Sequence, residues 1–340
     1  MLLAGTLADL APLYAEPALQ FGLYREGDFP AQRSPRPAAK SRIGRKETQM
    51  IQFDGQCAIV TGAGAGIGRE TALLLAARGA RVLVNDPAPG AADAVVEEIT
   101  AAGGEAAAET TPVGPGDAAW DIVEAARDRF GQVDILINNA GISRPAPFGE
   151  DSDADIERVF AVNLLGSYAL MRAVWPGMKA RGYGRILNTS SSAALGSGIS
   201  GAYAPTKSGI IGLTKEAAIG GKAHGIVINA IMPSAHTALL DKHPDPDFRA
   251  WIAENFPARL VAATSAFLVS RECAVTGEVF STGGGLVQRV AFHETAGIIA
   301  RDLTPEIMAA QIGTILEIEG GAVIAQQAER SATTNRHFPR

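Results

Sequence analysis

Cysteine is scarce in this chain of 340 residues, which contains only Cys57 and Cys273. The two thiols lie far apart in sequence, and neither belongs to a recognisable reactive motif. This scarcity excludes a disulfide framework and a cysteine-rich zinc site, and we expect no metal ion. A reducing cytoplasm is the expected location.

The chain also lacks an excess of positive charge and long uninterrupted apolar runs. Its formal net charge of −6 gives no general attraction to nucleic acid or to an anionic membrane. The apolar start "MLLAGTLADLAPLYAEPALQ" is interrupted by Asp9, Glu16 and two prolines, and no basic segment precedes it. We therefore expect no secretory signal, no membrane span and no nucleic-acid partner.

What is present divides into three parts. Residues 1–49 contain five prolines and a basic cluster between residues 33 and 46, without a sustained helical or strand period. We predict that this part is a poorly ordered extension. Residues 50–290 form the predicted folded domain. Residues 291–340 are predicted to be a C-terminal extension that is partly helical and disordered at its end.

From residue 56 onward, short apolar runs alternate with longer helical patterns, as in "CAIVTG", "RETALLLAARGA" and "RVLVND". Continuous apolar strands between helices are typical of a parallel sheet that is covered on both faces. Seven such runs predict an α/β fold: a single doubly wound domain around a parallel seven-stranded sheet.

Residues 61–68 read "TGAGAGIG", between the first strand and the first helix. In this context the pattern predicts the dinucleotide-binding loop of a Rossmann fold. Gly62 would permit a sharp turn, Gly66 the close approach of a pyrophosphate, and Gly68 close packing of helix on strand. The pyrophosphate would meet free N–H groups of a helix that begins near Ile67. The alternative is a glycine-rich turn that binds no ligand.

Asp86 ends the second strand, where a carboxylate can accept hydrogen bonds from the adenosine ribose and repel a 2′-phosphate. No arginine comes immediately after it, and Ala65 stands where a basic residue would help to neutralise that phosphate. We therefore predict NAD rather than NADP as the cofactor. Alternatively, Asp86 is only a cap or turn residue before Pro87.

These residues resemble the classical short-chain dehydrogenase/reductase family from about Phe53 to Gly285. The shared motifs are "TGAGAGIG", "NNAG" at 138–141, "VNLLG" around residue 163, the serines after "GRILN", "YAPTK" at 203–207 and "MPSAHT" at 232–237. Within the family, residues 53–86 are most similar to dehydrogenase domains that act on 3-hydroxyacyl thioesters. The resemblance implies an oxidoreductase that interconverts a secondary alcohol and a ketone.

Tyr203 and Lys207 are four residues apart in a helical segment, so their side chains share one face. Pro205 between them is compatible with a helix that starts near residue 201 or 202. A nearby ammonium group and an oxidised nicotinamide would favour the phenolate of Tyr203, which is otherwise a poor base. The resemblance implies that Tyr203 exchanges the alcohol proton and that Lys207 also anchors the cofactor ribose.

The resemblance implies two further catalytic residues. A serine at the end of the fifth strand would hold the substrate oxygen. Ser191 matches the family phrase, whereas Ser190 matches the usual spacing to the tyrosine; we prefer Ser191 because strand alternation fixes the face that each serine meets. Asn163 is implied to hold a water in a proton relay from Lys207 to solvent, or else its amide bonds backbone inside the helix.

Further cofactor contacts are implied at the ends of strands. They are Val113, Asn139, Ala140, Gly141, Pro233 and Thr237. Asn138 is implied to tie neighbouring strands. The chain departs from the family pattern at Ser234, which replaces a glycine, and before Val113, where the family often has an aspartate.

Residues 238–260 are expected to form a lid over a small hydroxy or keto substrate. Phe248, Trp251 and Phe256 indicate an apolar substrate body, or they only pack the lid on the domain. Three other hypotheses remain. The chain could be a dinucleotide-binding sensor or scaffold, an NADPH-dependent carbonyl reductase, or an interaction protein that works through residues 33–46.

Two segments, "IERVFAVNLLGSYALMRAVW" and "GAYAPTKSGIIGLTKEAAI", are apolar on more than one face. The resemblance implies that these helices pair across a two-fold axis in a homodimer or a homotetramer. Gly209 and Gly212 would permit close helix approach. An acidic substitution at Ile211 would dissociate the assembly if this residue faces the partner.

Overall fold

A computed structural model describes residues 50–236 and 245–325, together with Gln327 and Glu329. The predicted N-terminal extension 1–49, the end of the C-terminal extension and Thr237 lie outside the described residues, as does the side chain of Phe248.

The central sheet forms where apolar residues run without interruption, and its first strand is buried at every position. Its strand order is β3-β2-β1-β4-β5-β6-β7-β8. The strands are β1 (Cys57–Thr61), β2 (Arg81–Asn85), β3 (Glu105–Glu109), β4 (Ile135–Asn138), β5 (Gly184–Thr189), β6 (Ile226–Pro233), β7 (Val279–Gly283) and β8 (Leu286–Val290). The first seven strands are parallel to one another, as predicted.

The eighth strand is a difference from the seven-stranded prediction. β8 pairs antiparallel with β7 and lies at the edge of the sheet. Gly284 and Gly285 connect the two strands with φ angles of 57° and 81°. Two central residues with positive φ are the requirement of a tight hairpin turn, so "TGGGLV" contains a hairpin and not the end of a single strand.

Nine α-helices lie in the described ranges. They are α1 (Gly66–Ala77), α2 (Ala91–Ala101), α3 (Asp117–Phe130), α4 (Asp153–Phe160), α5 (Ser167–Arg181), α6 (Tyr203–Gly221), α7 (Pro246–Asn255), α8 (Ala258–Leu268) and α9 (Pro305–Leu316). Helices α1, α2 and α8 bury apolar side chains on one face of the sheet, and α3, α5 and α6 on the other. This two-sided cover is the predicted doubly wound architecture. No helix in the described ranges combines the length and the apolar character that a membrane crossing requires.

Residues after β8 form a small separate unit. β9 (Phe292–Glu294) pairs antiparallel with β10 (Ala322–Ile324), and α9 lies between them in sequence. Lys215 on α6 connects this unit to the domain, because its Nζ donates to the carbonyl of Ala325 at 3.4 Å and lies 5.8 Å from the ring centroid of Phe292.

Candidate active site

The predicted site residues gather at the carboxyl ends of β1, β4 and β5. β1 lies between β2 and β4, so the strand order reverses direction beside it. In open α/β sheets, ligands bind in the crevice that such a reversal creates. The fold therefore places the glycine loop, which follows β1, next to the residues that follow β4 and β5.

The backbone of the glycine loop adopts positive φ angles and close contacts that residues with a Cβ would not tolerate. Gly62 and Gly66 have φ angles of 59° and 55°. A Cβ on Gly68 would lie 2.6 Å from the side-chain nitrogen of Asn139 and even closer to the carbonyl oxygen of Gly62. Helix α1 begins at Gly66, one residue before the predicted start, and the side chain of its N-cap residue makes no capping hydrogen bond. Its first-turn N–H groups and dipole suit a pyrophosphate, so the loop fits the predicted dinucleotide.

Asp86 holds this loop and remains partly exposed at its surface. Its two carboxylate oxygens accept backbone N–H groups, one from Gly64 and one from Ala88, each at 2.9 Å. The turn interpretation therefore describes part of its role. Each oxygen has a second lone pair, so these bonds leave Asp86 able to accept a ribose hydroxyl.

Asn138 and Asn139 have different partners. The amide of Asn138 donates to Asn188 on β5 at 2.9 Å, which ties the two strands as expected. The amide of Asn139 donates to the carbonyls of Thr61 and Gly62, at 2.9 and 3.0 Å. Both donor hydrogens of Asn139 thus brace the glycine loop instead of pointing toward a ribose. Thr61 was not anticipated; its hydroxyl accepts the backbone N–H of Ala140 at 3.0 Å.

The remaining cofactor candidates lie at the other strand ends. Val113 is buried, and its side chain occupies the space that a Cβ on Gly166 would need. Ala140 and Gly141 lie between the glycine loop and helix α6. A Cβ on Gly62 would collide with the backbone of Ala140, and a Cβ on Gly141 would lie 3.3 Å from the Nζ of Lys207. Pro233 ends β6.

The serines after β5 separate into two roles. Ser190 is buried, and its hydroxyl donates to the main-chain carbonyl of Lys207 at 2.7 Å. Ser191 is partly exposed; its hydroxyl accepts the backbone N–H of Ala193 at 3.2 Å, and it lies near enough to Tyr203 to lower the pKa of the phenol. Strand alternation is the physical reason, since successive side chains point to opposite faces. The geometry favours Ser191 as the residue that can meet a substrate oxygen.

Tyr203 is the first residue of α6, and Pro205 falls in the first turn, where its missing N–H costs no helical bond. Burial raises the pKa of Tyr203, and the hydrogen bond with Ser191 opposes that shift. Without a bound cofactor, the phenol is therefore held in its protonated form. An added positive charge near the hydroxyl is what would favour the phenolate.

Lys207 lies one turn further along α6 and is almost completely buried. Its Nζ donates to the carbonyl of Thr189 at 2.8 Å and lies 5.4 Å from the ring centroid of Tyr203. Burial lowers the pKa of Lys207 to about 8, because the ammonium loses hydration. Its protonation can therefore change within reach of neutral pH.

Asn163 lies in a turn of π-helix, residues 161–166, between α4 and α5. Such π turns are rare and occur often at functional sites. Its side chain accepts from the N–H of Ile142 at 2.8 Å and donates to the carbonyl of Ile142 at 2.9 Å and to the hydroxyl of Thr206 at 3.3 Å. The amide thus holds the segment after β4 against α6, and a water-holding role in a relay stays a prediction.

Of the predicted lid, residues 245–260 are described. Helix α7 carries Trp251, whose ring centroid lies 5.3 Å from that of Phe256. The backbone N–H of His236 donates to the carbonyl of Phe256 at 2.8 Å, which ties the residue after α7 to the segment that follows β6. Sequence reasoning missed Thr206, although "YAPTK" contains it: its hydroxyl donates to the carbonyl of Tyr203 at 2.7 Å.

Comparisons with known proteins agree with this geometry. A sequence model of the family described as short chain dehydrogenase matches residues 56–245. Over 266 residues the chain is 40% identical to a peroxisomal multifunctional enzyme A of Dictyostelium discoideum, which covers 75% of this chain and 59% of that protein. The alignments with this chain span only 29% to 59% of the lengths of the peroxisomal relatives.

Two shorter proteins are similar over nearly their whole length. A 3-oxoacyl-[acyl-carrier-protein] reductase of Synechocystis is 37% identical over 246 residues, which is 70% of this chain and 99% of that protein. A solved structure of 7α-hydroxysteroid dehydrogenase, complexed with NADH and 7-oxo glycochenodeoxycholic acid, superposes with a TM-score of 0.63 and 33% identity over 69% of this chain and 95% of that chain.

Proposed function

The chain belongs to the short-chain dehydrogenase family, and we propose that it is an NAD-dependent oxidoreductase that interconverts the secondary alcohol and the ketone of a 3-hydroxyacyl thioester. One observation carries the proposal. Ser191, Tyr203 and Lys207 meet at the carboxyl end of β5, and Gly141 connects them to the glycine loop.

The proposed chemistry assigns one task to each of these side chains. During oxidation, the hydroxyl of Ser191 holds the substrate oxygen while the phenolate oxygen of Tyr203 takes the alcohol proton. The nicotinamide ring, when bound, would supply the acceptor for the hydride that leaves the same carbon. Lys207 places its ammonium beside the Tyr203 ring, and Thr189 fixes that ammonium through its carbonyl. In reduction Tyr203 returns the proton to the new alkoxide.

Charges near the adenosine end support NAD over NADP. Asp86 presents a carboxylate at the end of β2. Arg69, the basic residue in the first turn of α1, is paired with Glu70 at 2.6 Å and also with Glu98. A 2′-phosphate at the end of β2 would therefore meet a carboxylate, while Arg69 is already engaged by two acidic side chains.

Asp86→Ala is expected to weaken the binding of NAD and to raise the ratio of kcat/KM for NADP to kcat/KM for NAD by about tenfold. The reason is that one charged hydrogen-bond acceptor is worth roughly 1.5–3 kcal/mol. Steady-state kinetics with both cofactors measure the ratio. Asp93→Ala, which removes an exposed carboxylate from the first turn of α2, is the matched control. An unchanged ratio in Asp86→Ala would leave Asp86 as a turn residue alone.

Exposed apolar side chains near the catalytic residues support an apolar substrate body. Phe148 is 92% exposed and Leu195 is 78% exposed. The backbone of Phe148 bonds Gly198, five residues before Tyr203, and Leu195 ends the short helix that follows Ser191. Trp251 is also exposed, on the lid. The name of the Synechocystis relative supports an acyl thioester as that substrate. The cytoplasmic location of this chain stays a prediction.

A substrate screen tests the proposal. We would offer 3-hydroxyacyl thioesters, hydroxysteroids and sugar alcohols with NAD and with NADP, and follow the absorbance of the reduced cofactor. The highest kcat/KM is expected for a thioester with NAD. A preference for hydroxysteroids would overturn the substrate class, a preference for NADP would favour the carbonyl-reductase hypothesis, and no turnover with any would favour a sensor or scaffold.

We also propose that α5 and α6 pair with a second copy of the chain. Leu165 and Tyr168 are exposed apolar residues on this surface, and a Cβ on Gly212 would meet open space. Two of the earlier expectations need correction. Ile211 is only 9% exposed and packs against the sheet, so an acidic residue there would damage the fold of one chain. Gly209 packs on Leu164 of its own chain.

Tyr168→Asp is the better test of this assembly, because Tyr168 is 55% exposed in the single chain. Light scattering should give a dimeric or tetrameric mass for the parent protein and a lower mass for the variant, since an unpaired carboxylate would be buried between copies. Trp120→Asp on α3 is the matched control, also at an exposed aromatic position. A parent mass of one chain with full activity would contradict the assembly.

A further inference from the structure

Helix α6 needs an external cap at the end that carries Tyr203. The first four N–H groups of a helix have no intrahelical partner, and a Ser, Thr, Asp or Asn side chain usually satisfies one of them. The N-cap residue here is Ala202, whose methyl group cannot accept a hydrogen bond. Pro205, in the same turn, has no N–H. A local side-chain cap is therefore missing, and the local bond at this helix start is the one from the N–H of Tyr203 to the carbonyl of Ser200 at 3.1 Å.

Asp151 supplies the missing acceptor from a distance of 51 residues in sequence. Its Oδ1 accepts the N–H of Ala202 at 2.9 Å. Gly201 has a φ of 49°, and a Cβ at this residue would collide with the Asp151 carboxylate. Only glycine at position 201 lets the carboxylate approach the helix end this closely. A negative charge at a helix N-terminus is also favoured by the helix dipole.

Asp151 ends a segment that crosses the site from β4 to α4. At its start, Gly141 and Ile142 lie against Lys207 and Asn163. In its middle, Ala146 forms a bridge with Ser200, and its carbonyl accepts the N–H of Gly201 at 3.1 Å. At its end lies Asp151. The segment therefore holds the backbone immediately before Tyr203 at several points, of which the carboxylate is the last.

We propose that Asp151 is a positioning residue that keeps the hydroxyl of Tyr203 aligned with Ser191. The hydrogen bond of Asp151 is one residue away from Tyr203, so loosening it moves the first turn of α6 and the phenol with it. Lys207 is one turn further on and has its own bond to Thr189. Loss of the cap should therefore displace Tyr203 more than Lys207, the expected anchor of the cofactor ribose.

The test compares three substitutions. Asp151→Ala should lower kcat by at least about tenfold, because small misplacements of a catalytic group are costly, while the Kd of NAD changes by less than about twofold. Asp151→Asn keeps an oxygen acceptor and should retain kcat within about threefold. Gly201→Ala should reproduce the alanine variant. Asp153→Ala, two residues away in the first turn of α4, is the matched control.

The inference rests on the proposed function for its kinetic measurement, so a second measurement is independent of turnover. Hydrogen exchange of a peptide covering residues 199–206 should speed up in Asp151→Ala and remain as in the parent in Asp151→Asn. A parent without turnover would overturn the proposed function, and the exchange data would still decide on Asp151. Unchanged exchange and kcat in Asp151→Ala, or equal loss of kcat and NAD affinity, would overturn the inference.

Discussion

Tyr203→Phe is expected to lower kcat at least about 100-fold while the Kd of NAD changes little, because general acid–base catalysis normally contributes 100-fold or more. The substitution removes one hydroxyl and keeps the ring that lies near Lys207. The variant should fold as the parent does, since the side chain that loses its interaction with the Tyr203 hydroxyl is the partly exposed Ser191. Steady-state kinetics and fluorescence titration with NAD measure the two quantities.

The same variant has a matched control and a pH signature. Tyr168→Phe removes a hydroxyl from an exposed tyrosine of α5 and should leave kcat unchanged. Burial raises the pKa of Tyr203, so alcohol oxidation by the parent should accelerate as pH rises toward that pKa, where the phenolate forms. Turnover of Tyr203→Phe within about tenfold of the parent would contradict the assignment.

Features set by local geometry were predictable from the sequence. The glycines at 62, 66 and 68 follow a strand and precede a helix, and the turn between two such elements imposes its own backbone angles. Tyr203 and Lys207 share a helical face because they are four residues apart. Neither inference needs knowledge of any distant residue, and the structure places the glycines between β1 and the first turn of α1, and Tyr203 and Lys207 in the first turns of α6.

Features that depend on distant contacts were not predictable. The bond between Asp151 and Ala202 joins residues 51 apart, and no pattern in either segment indicates it. The amide of Asn139 binds the glycine loop because β4 and β1 are neighbours, which only the folded sheet reveals. Ile211 was only a conditional candidate for the surface that faces a partner, because α6 is apolar on several faces and helical period alone cannot say which face the sheet covers.

One missed feature did have a local signal. Gly284 and Gly285 separate "VFSTG" from "LVQRV". Consecutive glycines between two strand-like runs are typical of a hairpin. The expectation of an all-parallel sheet led us to interpret them as the end of β7. The edge strand β8 satisfies backbone groups of β7 that a seventh and last strand would have left exposed.

Lys207→Met is expected to abolish turnover and to remove a pH dependence from the stability of the protein. Burial lowers the pKa of Lys207 to about 8 from an ordinary value of 10.5. Below pH 8 the ammonium is charged in the folded and unfolded states, so its desolvation penalty is fully present. Between these two values the unfolded chain binds more protons than the folded one, and the parent gains stability as pH rises.

The size of this change follows from the shift. A shift of about 2.5 units corresponds to roughly 3 kcal/mol of unfolding free energy. Relative to the methionine variant, the parent should therefore gain roughly that amount between pH 7 and 10.5, whatever the fixed cost of leaving the Thr189 carbonyl without its donor. Urea unfolding of both proteins at several pH values measures the difference, and kcat should fall at least about 100-fold in the variant.

The matched control is Lys179→Met, which replaces an exposed lysine near the end of α5. Its ammonium is hydrated before and after folding, so the stability difference from the parent should stay constant with pH. A constant difference for Lys207→Met as well would mean that the buried ammonium has no desolvation penalty. The pKa of Lys207 would then lie near its ordinary value of 10.5, and the fall in kcat alone would measure what its ammonium contributes beside Tyr203.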